Sequence, residues 1–261
     1  MEDRINERDG DNDMRAIIPS AGKGTRLKMN HIGEDLPKVM QLACGKPLLE
    51  TVLEQVDFIA PEDIYIVVGY RKEKITDYFG SRYKYVEQKE QLGTGHAVMV
   101  CEPAFRDYRG TVLVTFGDMP LFRRSVLKAM CEYHERTGAA CTLLTAENPE
   151  LTYWARIVRD DAGRFARIVE AKDCTPEEAE IRELFSGVLA FDSQALFEIL
   201  PQVDTHNAQG EYYLTEVPEL MARRGMKVET CKTDDGDDLR GVNTLEDLII
   251  CEEVMRRRMK H

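Results

Sequence analysis

The chain has no apolar run near the roughly 18 residues that a membrane span needs, and no secretory leader. Neither a membrane partner nor export is expected. Its seven cysteines (44, 101, 131, 141, 174, 231 and 251) contain no CxxC pair and are odd in number. That argues against a disulfide framework or a zinc site and for a reducing, cytoplasmic setting. Positive charge is also short, with 35 Lys and Arg against 47 Asp and Glu, a net charge of −12. A general nucleic-acid coat is thereby excluded, and a polyanionic substrate would need local positive charge against an acidic background. There is no internal repeat and no low-complexity tract. A P-loop ATPase is not supported, because Gly22-Lys23-Gly24-Thr25 has the wrong order for G-x-x-x-x-G-K-[ST]. Residues 1–13, MEDRINERDGDND, hold one apolar residue after the initiator Met and read as a disordered acidic tail.

What remains is a core-forming chain. Of its 261 residues 43% are hydrophobic, and a chain of this size buries roughly three quarters of its unfolded surface. Arg15 to Pro19 reads as a buried strand that ends abruptly in Ser20-Ala21-Gly22-Lys23-Gly24-Thr25-Arg26. Gly22 and Gly24 are expected to adopt positive φ and let the backbone approach a ligand, with successive N–H groups facing an anion. Lys23 and Arg26 add cations, and Arg26 suits bidentate phosphate binding. Pro37 stiffens the chain before Lys38, which is either an ordinary surface lysine or a held cation.

A helix follows on the stripe Leu48, Leu49, Val52, Leu53 and Val56. Strands are expected at 64–68 and 83–87, with a helix over 72–79 between them. The order strand, helix, strand, helix, strand is the doubly wound α/β pattern, whose ligands sit at the carboxyl ends of strands. The third strand runs out into Gln88 to Ala97. There Gln88 and Gln91 carry amides able to read a base edge, and Gly93 and Thr94 bring backbone groups close; alternatively Thr94 caps a helix. Strand 111–116 ends at Asp118, which either caps the helix expected over 124–137 or holds a divalent cation.

Beyond a strand at 140–145, the stretches 156–159 and 165–169 flank Asp160-Asp161-Ala162-Gly163 as a hairpin. A helix starts at Thr175, a strand covers 184–191, and helices cover 193–200 and 214–224. A short strand spans 227–230. The last helix is expected to bury Leu245, Leu248, Ile249 and Val254, and Asn243 either caps it or turns its oxygen to a metal.

AGKGTR (21–26), LPK (36–38), EQLGTGHA (90–97), GDMPL (117–121), IVEAKD (168–173), NAQGEYYLTE (207–216) and GVNT (241–244) occur in that order. With them the chain resembles, over roughly residues 14–258, the uridyltransferase domain of bacterial N-acetylglucosamine-1-phosphate uridyltransferase, in the nucleotide-sugar pyrophosphorylase superfamily. The resemblance implies a Rossmann-like nucleotidyltransferase fold: a mostly parallel central sheet flanked by helices, with a smaller sugar-binding β subregion, as one domain over 14–261. It also implies a Mg2+-dependent reaction. A sugar-1-phosphate oxygen attacks the α-phosphorus of a nucleoside triphosphate, UTP in this branch, and pyrophosphate leaves. Such chemistry is mainly positioning and charge neutralisation. The resemblance assigns Arg26 and Lys38 to the triphosphate and departing pyrophosphate, and Asp118 and Asn243 to the metal. Backbone around Ser20, Ala21, Gly22, Lys23 and Gly24 would hold the nucleotide. Gln88, Gln91, Gly93 and Thr94 would read uracil or ribose. Position 155, Glu170, position 185 and the neighbourhood of Tyr212-Tyr213 fall on the sugar side.

Departures cluster there. The family's Tyr-Gly-Arg is Trp154-Ala155-Arg156, and its Asn-Thr-Gly is Phe185-Ser186-Gly187. Pro19-Ser20 replaces Leu-Ala, and the segment from Arg26 to Lys38 is longer, with 29–33 expected as a flap. The metal and triphosphate positions are intact while the sugar positions are altered, so the expected sugar is not fixed as N-acetylglucosamine. Two alternatives stay open: the same fold with a thymidylyl, cytidylyl or guanylyl donor, and an inactive nucleotide-sugar-binding module, against which the presence of Arg26, Lys38 and Asp118 counts. No hexapeptide repeat follows, so neither acetyl transfer nor the trimer such repeats build is implied.

Overall fold

The computed structural model of the chain describes residues 14–24, 36–207 and 209–260. The acidic segment 1–13, Arg26 and the inserted residues 27–35 lie outside the described residues. Strand β1 (Met14–Pro19) leads to a hairpin of β2 (Leu42–Ala43) and β3 (Lys46–Pro47), then to helix α1 (Leu48–Gln55). Strand β4 (Ile64–Val68), helix α2 (Lys72–Phe79) and strand β5 (Lys84–Glu87) follow. Helices α3 (Thr94–Met99) and α4 (Glu102–Phe105) lead to β6 (Thr111–Val114), α5 (Arg124–Thr137) and β7 (Cys141–Glu147). The chain then forms β8 (Arg156–Arg159), β9 (Phe165–Val169), α6 (Pro176–Ala179) and β10 (Glu183–Asp192). It finishes with α7 (Ser193–Ile199), α8 (Glu216–Arg223), β11 (Val228–Lys232) and α9 (Leu245–Arg258).

One sheet runs in the order β11-β7-β10-β6-β1-β4-β5, with the β8–β9 hairpin joined at β10. Strands β6, β1, β4 and β5 are parallel, as the alternating strands and helices imply. Strand β10 is antiparallel to both β6 and β7, and β11 is parallel to β7. The sheet is apolar on both faces, which is why its strands read as unbroken apolar runs rather than alternating ones. On β1, Ile17 faces the cluster containing Phe105, Leu196 and Val217, while Ala16 and Ile18 face the cluster under α1 and α5. Ile17 and Ile18 are fully buried, each stabilising the fold by about 1.5–3 kcal/mol before entropy is counted.

One helix differs from expectation in two respects. Helix α9 buries Leu248, Cys251 and Val254, whereas Leu245 and Ile249 are 45% and 52% exposed. The apolar residues at 245 and 249 mimic a helical stripe, but the packed face runs through a cysteine. Of the two roles open to Asn243, capping falls to Thr244 instead. Its Oγ1 accepts from Asp247 N–H, and Asp247 returns a bond to Thr244 N–H in a capping box.

The carboxyl-terminal segment is anchored by Asp238, which is fully buried. Arg123 donates to it at 2.8 Å, Arg258 at 2.9 Å and Thr233 Oγ1 at 2.6 Å. One carboxylate thus ties the entry to α5, the end of β11 and the last turn of α9 together. A buried carboxylate is tolerated only when compensated in this way.

Candidate active site

The parallel strands β1, β4 and β6 all end at one edge of the sheet. Beyond β1, Ser20 N–H continues the pairing to Val67 O at 2.8 Å, and Gly117 N–H donates to Pro19 O at 3.2 Å. Glycine at 117 leaves room for this join, since a Cβ there would lie 2.4 Å from Ser20 Oγ and displace that hydroxyl. The turn delivers Asp118 at the sheet edge. Asp118 does not cap α5, whose N-cap is Arg123 without a side-chain bond. Its backbone O instead accepts from Val242 N–H at 2.9 Å. That contact brings Asn243, far away in sequence, beside it. Because Thr244 caps α9, the Asn243 side chain is left for the site.

Lys38 completes the group. Its Nζ forms an ion pair with Asp118 Oδ2 and donates to Asn243 Oδ1 at 2.9 Å. The aliphatic stem lies against Gly24, where a Cβ would come within 2.6 Å of Lys38 Cβ. Gly24 has φ +67, as expected of a loop glycine. Gly22 does not share that conformation; nothing lies within 4 Å of where its Cβ would be, so it offers an open backbone surface. Lys23 is not turned into the cavity: its Nζ stands 5.2 Å over the Tyr70 ring. Of the expected nucleotide-side residues, Ser20, Ala21, Gly22, Gly24, Lys38, Gln88, Gln91, Gly93, Thr94, Asp118 and Asn243 line one cavity of about 300 Å3.

The glutamines hold this cavity's shape. Gln88 is buried and donates its amide N–H to Gly93 O at 3.2 Å, with His96 Nδ1 at 3.0 Å. Gln91 donates to Ala21 O at 3.2 Å and so ties the two loops together. The Gln88 amide nitrogen thus has two partners within the protein and that of Gln91 has one, and both residues line the cavity. Gly93 has φ +108, and a Cβ there would lie 2.5 Å from Tyr212 O. Thr94 does not cap α3, whose N-cap is Gly93; its Oγ1 accepts from Leu214 N–H at 3.1 Å.

A second cavity of about 610 Å3 adjoins the first, sharing Thr94, Phe116, Asp118, Glu211 and Asn243 with it. Ala155, Glu170 and Phe185 line it, as do Trp154, Lys172, Gly187 and Tyr213. Its wall follows from the topology. Leu189 of β10 pairs with Val114, so the amino-terminal part of the antiparallel β10 runs past the end of β6 towards Asp118. Between Phe185 and Leu189 the pairing with β7 slips, around Gly187 at φ +88. Phe185 and Ala155 are 4% and 7% exposed and belong to the core cluster, so this wall is apolar. The half-buried Glu170 carboxyl has its pKa raised by burial, opposed by Lys172.

The lining by Phe116 and Glu211 was not evident in the sequence. Phe116 reads as the last apolar residue of a strand. Glu211 is brought in by an Asn207 turn, where Asn207 Oδ1 accepts from Gln209 and Glu211 N–H at 3.2 Å.

Among the described residues no group of three or more His, Cys, Asp and Glu is placed to hold a metal. Asp118 and Asn243 offer two hard oxygens that already share one cation. Such a pair suits an ion that takes its remaining ligands from substrate and water rather than from a protein cage.

Residues 16–190 match the MobA-like NTP transferase domain. The chain belongs to that family. It is also 42% identical over 244 residues to the bifunctional protein GlmU of Enterococcus faecalis, and 41% identical to that of Latilactobacillus sakei. These matches cover 94% of this chain and 52% of each relative, so the chain spans about half the length of the curated relatives it matches. A UDP-glucose pyrophosphorylase solved with UDP-glucose superposes with a TM-score of 0.74 over 94% of this chain and 99% of that one, at 21% identity. Its apo form gives 0.75 at 20% identity over the same shares of the two chains. At that identity the likeness speaks for the Rossmann-like fold. No helix among the described residues is long and apolar enough to cross a membrane.

Proposed function

We propose that the chain is a sugar-1-phosphate nucleotidyltransferase that joins UTP to a sugar-1-phosphate and releases pyrophosphate, with Mg2+ as cofactor. The observation that carries this reading is the meeting of Lys38, Asp118 and Asn243 at the junction of two cavities. The smaller cavity has loop backbone and amides suited to a nucleotide. The larger has an apolar wall with carboxylates suited to a sugar. Reacting phosphates would lie where the two meet. The 42% identity to GlmU over 94% of the chain supports the same assignment.

Asp118 and Asn243 fit Mg2+, because both present oxygen to a point that already accommodates a cation. Bound there with phosphate and water, Mg2+ would neutralise charge on the reacting phosphates. The chain's own residues do the rest. Open backbone at Gly22 accepts close approach of phosphate. Lys38 provides mobile positive charge, and Arg26 of the same loop is assigned to the departing pyrophosphate by the motif AGKGTR. The Gln88 and Gln91 carbonyl oxygens could accept from a base N–H, which supports uracil or thymine over cytosine. No general base is required, since the attacking phosphate is ionised at neutral pH. Phe185 and Ala155 set the sugar's neighbour as an aromatic ring and a methyl, so the sugar need not be N-acetylglucosamine.

The test is pyrophosphate release from nucleoside triphosphates against a panel of sugar-1-phosphates with Mg2+. UTP with one sugar-1-phosphate is expected to stand out. Nucleotide-sugar binding with no pyrophosphate release from any pair would refute the enzyme reading. Preferential turnover of N-acetylglucosamine-1-phosphate would refute only the altered sugar.

A further inference from the structure

Lys38 is seated on the two oxygens that the proposed function gives to the metal. Its ammonium touches Asp118 Oδ2 and lies 2.9 Å from Asn243 Oδ1. The seat is built rather than incidental. The side chains of Lys38 and Asp118 are only 14% and 25% exposed. Pro37 sets the chain direction, Lys38 opens a short 3-10 turn whose Val39 and Met40 are buried, and Gly24 clears room for the stem. Asp118 is held in turn through Val242. A divalent ion on the same two oxygens would meet the ammonium at contact distance, and two such charges repel strongly in a half-buried site. Lysine and metal therefore compete for one position. The competition ends only when an anion offers the ammonium a better partner, and the adjoining loop is where phosphate is expected.

We propose, resting on the metal reading above, that Lys38 is a built-in counter-ion. It keeps Asp118 and Asn243 closed to divalent cations in the free protein, and it moves onto phosphate when nucleotide binds. The metal then binds tightly only with the nucleotide or after it.

Mn2+ is the probe, followed by electron paramagnetic resonance and calorimetry on the full chain without nucleotide. The native protein is expected to bind Mn2+ weakly, and Lys38→Met at least about tenfold tighter, a difference that corresponds to one factor-of-ten step in affinity. Lys38→Gln provides a second way to remove the charge, while Lys38→Arg keeps it and should stay weak. Asp118→Asn added to Lys38→Met should abolish the gain. Equal Mn2+ affinity in native, Lys38→Met and Lys38→Gln proteins would overturn the proposal. The underlying metal reading has its own arm: with UTP present, the native protein should show an Mn2+ signal that Asp118→Asn removes. A signal indifferent to that substitution would overturn the metal assignment itself, whatever Lys38 does.

Discussion

Asp118 and Asn243 show how much a single capping choice decides. Thr244 takes the helix end, and Asn243 is thereby left facing Lys38. Asp118→Ala is expected to reduce pyrophosphate release by at least about 100-fold across a Mg2+ titration, on the scale of losing one group that stabilises developing charge. Near-native turnover would remove Asp118 from the site. Arg26→Ala should lower kcat by about 2–4 kcal/mol equivalent if the guanidinium acts on departing pyrophosphate. A change confined to KM would make Arg26 a ground-state binder. The place of Asp118 at the cavity was legible in the sequence because it lies just past the end of a buried strand. The Lys38 contact was not, because it depends on Gly24, Val242 and Thr244 acting together over more than 200 residues.

At the scale of elements, the parallel half of the sheet was readable from apolar runs punctuated by glycine. The position of β10 was not. Its sequence, ELFSGVLAFD, is as apolar as a parallel strand, and only the hairpin before it makes the chain enter from the opposite end. That reversal puts Phe185 on the wall of the larger cavity. Helix α5 offers a pH test. His134 is 3% exposed, with Nδ1 2.9 Å from Thr142 Oγ1 on β7, and burial pushes its pKa down to about 4. In the unfolded chain it titrates near 6.5. The unfolded state therefore binds the proton first, and this group's contribution is present above about pH 6.5 and lost as pH falls towards 4, on the order of 3 kcal/mol. Urea denaturation of His134→Gln should show a smaller loss between those pH values than the native protein; an equal loss would refute the assignment. Arg156, 6% exposed, donates to the Trp154 and Thr152 carbonyls and pins the loop before β8. Arg156→Ala should destabilise the fold by about 1–3 kcal/mol by leaving these acceptors unsatisfied, read as a lower denaturation midpoint.

At the scale of the molecule, a net charge of −12 surrounds a site meant for anions. Among the described residues lining the two cavities the cations are Lys38 and Lys172, one in each. Asp238 holds the carboxyl-terminal segment onto the body through Arg123 and Arg258. Asp238→Ala should cost about 1–3 kcal/mol, because the half-buried Arg123 and Arg258 would lose their shared partner while keeping Asp234 and Asp235. Chemical denaturation would measure it, and a loss below about 1 kcal/mol would show the cluster to be dispensable. The contact between Asp118 and the Val242-Asn243 segment has a temporal meaning too. A chain emerging from the ribosome makes β1, the glycine loop and Asp118 well before Asn243. Until that segment docks, the sheet edge holds a lysine and an aspartate with no third member. Assembly of the chemistry thus waits on the segment that carries Val242 and Asn243, and a molecule made only as far as Asp118 presents an edge that is formed but unarmed.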